Sequence, residues 1–236
     1  MSRKKFVVMM AAGSGTRMGA DMPKQFLEMD GEPILRHTME VFLEACPDIS
    51  VITVLPEHFV DYWRDYCLEH NFICPQVIVK GGITRFHSVR NALEKVPEGA
   101  LVAVHDGVRP LVSRELVRAM FAKAEDTPAL IPVIPCIDTM KVLEHKVDKS
   151  GDDVFVPVEG KTADRSLLWG AQTPQIFHSE LLKDAYRQAF DTAFTDDASV
   201  VGKYNKSLSY VMGERLNIKI TTREDLILAE AIRSLR

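Results

Sequence analysis

The chain has 236 residues, of which 46% are hydrophobic and 26% are charged, and its formal net charge at pH 7 is −4. This composition is typical of a soluble globular protein, and the length predicts one α/β domain over residues 1–236. The negative balance argues against a nucleic-acid partner. Because no segment is long and apolar enough to span a membrane, we expect no membrane partner either.

Strand-like and helix-like segments alternate along the first part of the chain. The predicted strands lie at residues 5–10, 49–55, 76–79, 101–104 and 129–134. The predicted helices lie at residues 33–45, 57–70, 88–96 and from a Ser113 cap to about 125. This alternation predicts a Rossmann-like α/β fold, with a mostly parallel sheet and helices on both of its faces.

The pattern changes between residues 138 and 165, which are polar and rich in turn residues. A turn-like segment at 148–153 separates two β-like runs at 139–143 and 154–158, and this predicts a protruding β-hairpin arm. A long exposed hairpin is marginally stable alone, so we expect the arm to pack on a second subunit and form a homodimer. After the arm, helices are predicted at 181–190, 196–204 and 222–235, and a strand at 207–212.

The four cysteines, at positions 46, 67, 74 and 136, form no C-x-x-C pair. Their scatter favours free thiols over a disulfide framework or a zinc site. Cys67, His70 and Cys74 lie close together in the sequence, but we interpret them as a helix end with incidental thiols. Free thiols are typical of a reducing compartment, so we expect a cytoplasmic protein.

The loop after the first predicted strand reads A-A-G-S-G-T-R-M-G over residues 11–19, and Pro23-Lys24-Gln25 follows. Glycines allow the main chain to approach a phosphate, and Arg17 and Lys24 add positive charge beside the loop amides. The G-x-G-x-x-x-G spacing excludes the dinucleotide-binding fingerprint, and the lack of Gly-Lys-Ser/Thr excludes a P-loop. The loop therefore predicts a polyphosphate cradle, although a tight strand-to-helix turn alone would also explain its glycines.

Other groups suited to phosphate binding follow the later strands. In open α/β sheets ligands bind outside the carboxyl ends of the strands. The residues concerned are Gly81, Gly82, Arg85, Ser88, Arg109, Arg165, Thr173, Thr195 and Lys219, and one carboxylate, Asp106, stands among them. Asp106 is a carboxylate that could hold Mg²⁺. The set predicts phosphoryl or nucleotidyl transfer, in which positioning and charge stabilisation supply the catalysis.

Each of these residues also has a purely structural interpretation. Asp106 could cap a turn, and His105 is better explained as a packed histidine than as a base. Arg85 could be a surface cation at a helix start, and Lys219 could face solvent. The remaining alternatives are an arm-base ion pair for Arg165 and a helix N-cap for the segment 195–197.

Ordered motifs from residue 6 to about 230 resemble one family. They are the first loop with P-K-Q-F, G-G-I-T-R-F-H-S-V, H-D-G-V-R-P, D-T-M-K, D-R-S-L-L-W-G-A-Q-T-P-Q-I-F, T-D-D-A-S and N-I-K-I-T. The chain resembles the 2-C-methyl-D-erythritol 4-phosphate cytidylyltransferases. The resemblance implies that the polyol phosphate attacks CTP with Mg²⁺ present, giving CDP-methylerythritol and pyrophosphate on the non-mevalonate route to isoprenoids.

The resemblance also implies roles for individual residues. The catalytic set would be Arg17, Lys24, Arg165 and Lys219. CTP would contact Ala11, Ala12, Gly13, Ser14, Gly15, Gly81, Gly82, Arg85, Ser88 and Asp106, the last also near the metal. The polyol phosphate would contact Asp106, Arg109, Thr139, Arg165, Thr173 and Thr195. Since the arm of this family reaches across a dimer, Thr139 and Arg165 could serve the neighbouring site.

The sequence differs from the family pattern in two places, and two rival functions remain open. Many family members carry an acidic residue where this chain has Ile83, and many have two alanines at Gly107 and Val108. Ribitol 5-phosphate cytidylyltransferase shares most of the motifs, but D-T-M-K and D-R-S-L-L-W favour the methylerythritol enzyme. A non-catalytic nucleotide-binding regulator would have little use for Arg17, Lys24 and Lys219 together.

Overall fold

The computed structural model describes residues 2–13, 22–204 and 207–235, and within them α-helices alternate with β-strands. The helices are α1 (Ile34–Ala45), α2 (Val60–Glu69), α3 (Arg85–Leu93), α4 (Arg114–Ala124), α5 (Ser179–Ala185), α6 (Asp197–Lys203) and α7 (Arg223–Ser234). The strands are β1 (Lys5–Met10), β2 (Glu28–Met29), β3 (Glu32–Pro33), β4 (Ser50–Leu55), β5 (Gln76–Lys80), β6 (Leu101–Asp106), β7 (Ala129–Pro135), β8 (Leu143–Val147), β9 (Asp153–Pro157), β10 (Trp169–Ala171), β11 (Gln175–His178) and β12 (Ser209–Met212).

The central sheet is mainly parallel, as the sequence predicts. Its strand order is β10-β7-β11-β6-β1-β4-β5, and β12 pairs in parallel with β7. Strand β1 lies between β4 and β6 and is parallel to both, and β5 runs parallel to β4. Strand β11 is antiparallel to β6 and β7. The carboxyl ends of β1, β5 and β6 therefore meet at one edge of the sheet.

Helices cover both faces of this sheet. Along β1, Val7 and Met9 are buried in one apolar core and Val8 in the other, as the two-residue period of a strand requires. The first core contains residues of α1, α2 and α4, and the second contains residues of α3, α5 and α6. The α/β prediction is thus confirmed. None of the helices in the described ranges has the length and apolar content needed to cross a membrane.

Several predicted boundaries are wrong, and at one of them a cap explains the difference. Helix α3 begins at Arg85 rather than at Ser88, since the Thr84 hydroxyl accepts a hydrogen bond from the His87 amide at 3.4 Å and caps the helix. Helix α5 covers Ser179–Ala185 instead of 181–190. Strand β6 runs two residues further than predicted and ends at Asp106. The short strands β10 and β11 were not predicted.

The predicted arm is a two-stranded antiparallel hairpin, with all residues of β8 and β9 exposed. The prediction of its first strand at 139–143 is wrong, because the strand is Leu143–Val147. The turn decides this register: the Asp148 side chain accepts the amides of Ser150 and Asp152 at 2.7 and 3.0 Å. Since the turn begins at Asp148, the five residues just before it form β8 and pair with β9, although three of them are polar.

Candidate active site

A cleft of about 440 Å³ opens at the edge of the sheet where β1, β5 and β6 end. The predicted site residues that line it are Ala12, Gly13, Lys24, Gly82, Arg85, Ser88, Asp106 and Lys219. Four more predicted residues lie directly behind this lining. The Ala11 carbonyl accepts a hydrogen bond from Gln25, and Gly81 lies beside Ala12. Arg109 and Thr173 both contact Asp106. Ser14, Gly15 and Arg17 fall outside the described residues. The sequence-predicted groups from three separate strand ends thus converge on one cleft.

The loop after β1 is held by Gln25, which sequence reasoning did not single out. Its side-chain amide donates to the carbonyl of Ala11 at 2.6 Å and reaches that of Gly13 at 3.3 Å. Gln25 is 1% exposed, and the neighbouring Phe26 is anchored in the core. Because both residues after Lys24 are buried, the base of the lysine is fixed at the cleft wall. Gln25 belongs to the P-K-Q-F motif, and this motif was the feature of the sequence that could have identified it.

The turn after β5 brings backbone close to the first loop. A Cβ on Gly81 would lie 2.7 Å from Cβ of Ala12, and a Cβ on Gly82 would lie 2.9 Å from the carbonyl carbon of His87. Ser88 is 2% exposed; its hydroxyl accepts the Gly82 amide at 2.9 Å and donates to the Thr84 carbonyl at 3.0 Å. Glycine is therefore required on steric grounds at both positions, and Ser88 fixes the turn.

Asp106 is the centre of a charge cluster in the floor of the cleft. Its Oδ2 lies 3.1 Å from Nζ of Lys219 and 3.1 Å from Nε of Arg109, and its amide donates to the Thr173 hydroxyl. Burial alone would raise the pKa of the Asp106 carboxyl, but the positive charges of Lys219, Arg85 and Arg109 hold that pKa well below its usual range. The carboxylate is therefore ionised at neutral pH.

The structure also decides between some of the alternatives left by the sequence. Lys219 is 41% exposed but is ion-paired with Asp106, so it does not simply face solvent. The N-cap interpretation holds for Asp196, whose side chain accepts the Ser199 amide at 2.8 Å. Arg165 donates to the carbonyl of Ile137, so this contact in the described chain is not the ion pair of the structural alternative.

Three predicted substrate-binding residues lie apart from the cleft within this chain. Thr139 and Arg165 are exposed at the base of the arm, and Thr195 is exposed before α6. None of them is among the described residues that line the cleft. Their proposed contacts with substrate stay predictions.

A larger cavity of about 750 Å³ lies on another part of the sheet, between β10, β12 and α6. Its lining is mainly apolar and includes Trp169, Tyr210 and Met212. The glycine turns and the cations that follow β1, β5 and β6 are not part of its described lining. The smaller polar cleft is therefore the candidate active site.

His105, the residue before Asp106, is fully buried, with its ring 4.8 Å from that of Phe42. Burial lowers the pKa of His105 to about 3, against the opposing attraction of Asp106. The imidazole is therefore neutral at physiological pH, which agrees with a packed histidine and not with a general base.

We expect this histidine to make stability fall in acid. Its folded pKa lies below the unfolded value, so the unfolded state binds more protons below about pH 6.5 and the folded protein loses stability as pH falls from there towards 3. Between pH 7 and pH 5 the loss should be about 2 kcal/mol, measured by urea denaturation. His105→Phe should remove this part of the slope and the exposed His58→Gln should keep it; equal slopes in both variants would contradict the assignment.

Comparison with known proteins identifies the family of the chain. The family model "IspD: 2-C-methyl-D-erythritol 4-phosphate cytidylyltransferase" matches residues 6–234. The chain belongs to the IspD family. The 2-C-methyl-D-erythritol 4-phosphate cytidylyltransferase of Bacteroides thetaiotaomicron is 42% identical over 229 residues, which cover 97% of this chain and 99% of that protein. Its counterpart in Bacteroides fragilis is 43% identical over 232 residues, covering 98% and 100% respectively.

The fold agrees with solved structures of the same kind. The crystal structure of 4-diphosphocytidyl-2C-methyl-D-erythritol synthase from Anaerococcus prevotii matches with a TM-score of 0.78 at 27% identity, over 98% of this chain and 96% of that one. The structure also shows where Ile83 lies, the position at which many family members carry an acidic residue. Its side chain lines the cleft and is 96% exposed, so the rim carries an apolar group there.

Proposed function

We propose that the chain transfers the cytidylyl group of CTP to 2-C-methyl-D-erythritol 4-phosphate and releases pyrophosphate. The observation that carries this proposal is the convergence of Lys24, Lys219 and the Gly82 turn on one cleft at the carboxyl edge of the sheet. Family membership and the names of the relatives support the two substrates. The activity is a step of non-mevalonate isoprenoid biosynthesis.

The proposed reaction needs no activated protein nucleophile. A phosphate oxygen of the polyol phosphate, already ionised, forms a bond to the α-phosphorus of CTP, and the bond from that phosphorus to the bridging oxygen of the β-phosphate breaks. Pyrophosphate leaves with the electron pair. Lys24 and Arg17 neutralise the charge that develops on the phosphoryl oxygens, and Lys219 orients the incoming phosphate beside Asp106.

The donor set fits a Mg²⁺ that is held mainly by the nucleotide. Asp106 is the single carboxylate among the described residues of the cleft lining, and its two cation contacts both use Oδ2. Mg²⁺ prefers oxygen ligands and is commonly bound by one or two carboxylates together with substrate phosphates. We therefore propose that Asp106 supplies the protein ligand, and the ion would neutralise phosphate charge when bound.

The direct test is pyrophosphate release from CTP by the purified protein. Release with 2-C-methyl-D-erythritol 4-phosphate, and little with ribitol 5-phosphate, is the expected result. Preference for ribitol 5-phosphate would move the chain to the sibling activity, and no release with either would reject an enzyme of this class.

We further propose a cytoplasmic location, since Cys46, Cys67, Cys74 and Cys136 are all free thiols.

We propose in addition that the arm forms a homodimer. It exposes apolar side chains on both strands: Leu143 is 46% exposed, Val147 62% and Phe155 62%. An isolated two-stranded hairpin is marginally stable in water, and packing against a second copy would bury these groups. Thr139 and Arg165, which lie away from the cleft of their own chain, would then reach the cleft of the neighbour.

Subunit mixing tests this arrangement. Lys24→Ala and Arg165→Ala should each be inactive, but the mixed dimer of the two co-expressed chains should recover about half of the wild-type activity, because one of its two sites then has both residues intact. Activity is measured as pyrophosphate release after purification through two different tags. If the mixed dimer stays inactive, Arg165 acts within its own chain.

A further inference from the structure

Asp197 is a fully buried carboxylate beside the cleft that the proposed mechanism does not use. Arg85 forms a bidentate pair with it, its two terminal nitrogens donating to Oδ1 and Oδ2 at 3.0 and 2.6 Å. The Tyr186 hydroxyl donates to Oδ1 at 2.6 Å. A buried charge is costly unless it is paired and hydrogen-bonded, and here both conditions are met. Arg85 lines the cleft and is about a third exposed.

The position of Asp197 is fixed relative to the sheet. It is the first residue of α6, and Asp196 caps that helix. Gln175 of β11 holds this terminus from the other side: its side chain donates to Asp196 and accepts the amide of Ala198, both at 2.8 Å. In the antiparallel pairing of β11 with β6, Gln175 lies opposite Val104, two residues before Asp106. The Asp197 carboxylate is therefore tied to the strand that ends in the cleft.

This fixed carboxylate limits where the Arg85 guanidinium can lie. Arginine has five N–H donors in a planar fork, and Asp197 takes one from each terminal nitrogen, so the others remain for a ligand. Burial would lower the pKa of Arg85, but the charge of Asp197 and its hydrogen bonds raise it. The charge of Arg85 also reaches Asp106, since it contributes to the low pKa of that carboxyl. Without Asp197, Asp106 would be the carboxylate left to attract Arg85.

We propose that Asp197, supported by Tyr186, is a positioning residue. It holds Arg85 against the cleft wall so that the remaining guanidinium donors face the phosphates of CTP, and it keeps Arg85 from closing onto Asp106. The inference rests on the proposed function, because that function identifies the ligand as CTP.

The test compares Asp197→Asn, Arg85→Gln and their double variant in steady-state kinetics. Asp197→Asn keeps the shape of the side chain but puts an amide donor against the guanidinium. Its KM for CTP should rise about tenfold, while kcat and the KM for the polyol phosphate change by less than about threefold. The double variant should be no worse than Arg85→Gln alone, because residues that act through one another are not additive.

Two further variants keep the proposal falsifiable if Asp197→Asn does not fold. Tyr186→Phe removes the hydroxyl but keeps the ring, which stacks on Phe86 at 4.7 Å, and its KM for CTP should rise about threefold. The control is Glu180→Gln in α5, which breaks the pair with Arg3 away from the cleft and should leave KM unchanged. Calorimetric titration with CTP alone gives the same ranking without turnover.

Each outcome separates this inference from the proposed function. If the wild type turns over CTP and Tyr186→Phe or Asp197→Asn binds CTP normally, the positioning role is rejected and the function stands. A further loss caused by Asp197→Asn in the Arg85→Gln background, or an equal loss in kcat and both KM values, would assign Asp197 to general stability. If the wild type binds CTP and does not transfer it, the titration still decides the role of Asp197 and the proposed function fails alone.

Discussion

Replacing Lys24 with alanine is expected to lower kcat by about 100- to 1000-fold while the KM for CTP changes less than about threefold. The triphosphate is already anionic in the ground state. Charge grows on the phosphoryl oxygens and on the leaving pyrophosphate only as the bond at the α-phosphorus breaks, so a fixed ammonium beside them acts mainly on the transition state. Lys24 has that fixed position because Gln25 and Phe26 are buried directly after it. Initial rates of pyrophosphate release at varied CTP measure both constants.

A matched control shows whether the effect depends on the position of the lysine or only on the loss of one positive charge. Lys80→Ala removes an exposed lysine at the end of β5, which pairs with Glu57 and is not among the described cleft-lining residues. It should change neither constant more than about twofold, because surface ion pairs contribute little. Lys24→Arg should recover part of kcat, since it returns the charge with a different geometry. Equal losses in kcat and in CTP affinity for Lys24→Ala would instead make Lys24 a binding residue.

The parallel half of the fold was predictable because its strands are continuous apolar runs. Strands β1, β4 and β6 are buried on both faces, so their sequences differ sharply from the helices between them. Strands β10 and β11 are three and four residues long, and nothing in the sequence separates such runs from loops. They pair because tertiary contacts with β6 and β7 hold them.

Turn and cap chemistry explains two of the errors at element ends. The arm register follows from hydrogen bonds made by Asp148, which outweigh the higher β propensity of residues 139–143. In the same way the Thr84 cap moves the start of α3 to Arg85 and places Ser88 in its first turn. Such side-chain-to-backbone bonds are local, but choosing between neighbouring candidates needs the fold.

The candidate site was predictable where a residue's chemistry is enough, as at Lys24, Asp106 and Lys219. The role of a residue was not predictable where it depends on the direction in which the side chain points. Asp196 and Asp197 are adjacent and chemically identical, but Asp196 caps α6 while Asp197 turns inward to Arg85. The strands of the parallel half can be located from the sequence, whereas the partner of each charge depends on packing between distant segments.

Asp106→Asn should cause a large loss of stability. The variant keeps the size of the side chain but removes the anion shared by Arg109 and Lys219. The Arg109 side chain is only 11% exposed, so its charge would be left buried without its partner. Breaking a buried pair in this way costs about 3 kcal/mol or more, which urea denaturation at pH 7.5 would measure. Asp48→Asn, in an exposed pair with Lys5, should cost less than about 1 kcal/mol.

Added anions should distinguish the charge effect from a packing effect in this variant. Inorganic triphosphate, bound in the cleft, would supply negative charge near Arg85 and Lys219, so it should stabilise Asp106→Asn more than it stabilises the wild type. Changing Lys219 to methionine in the Asp106→Asn background should likewise recover part of the lost stability, because one uncompensated cation is gone. Activity should remain low in the double variant, since both groups beside the incoming phosphate are then altered. If triphosphate stabilises wild type and variant equally, the stability loss comes from packing and Asp106 does not balance the cations of the cleft.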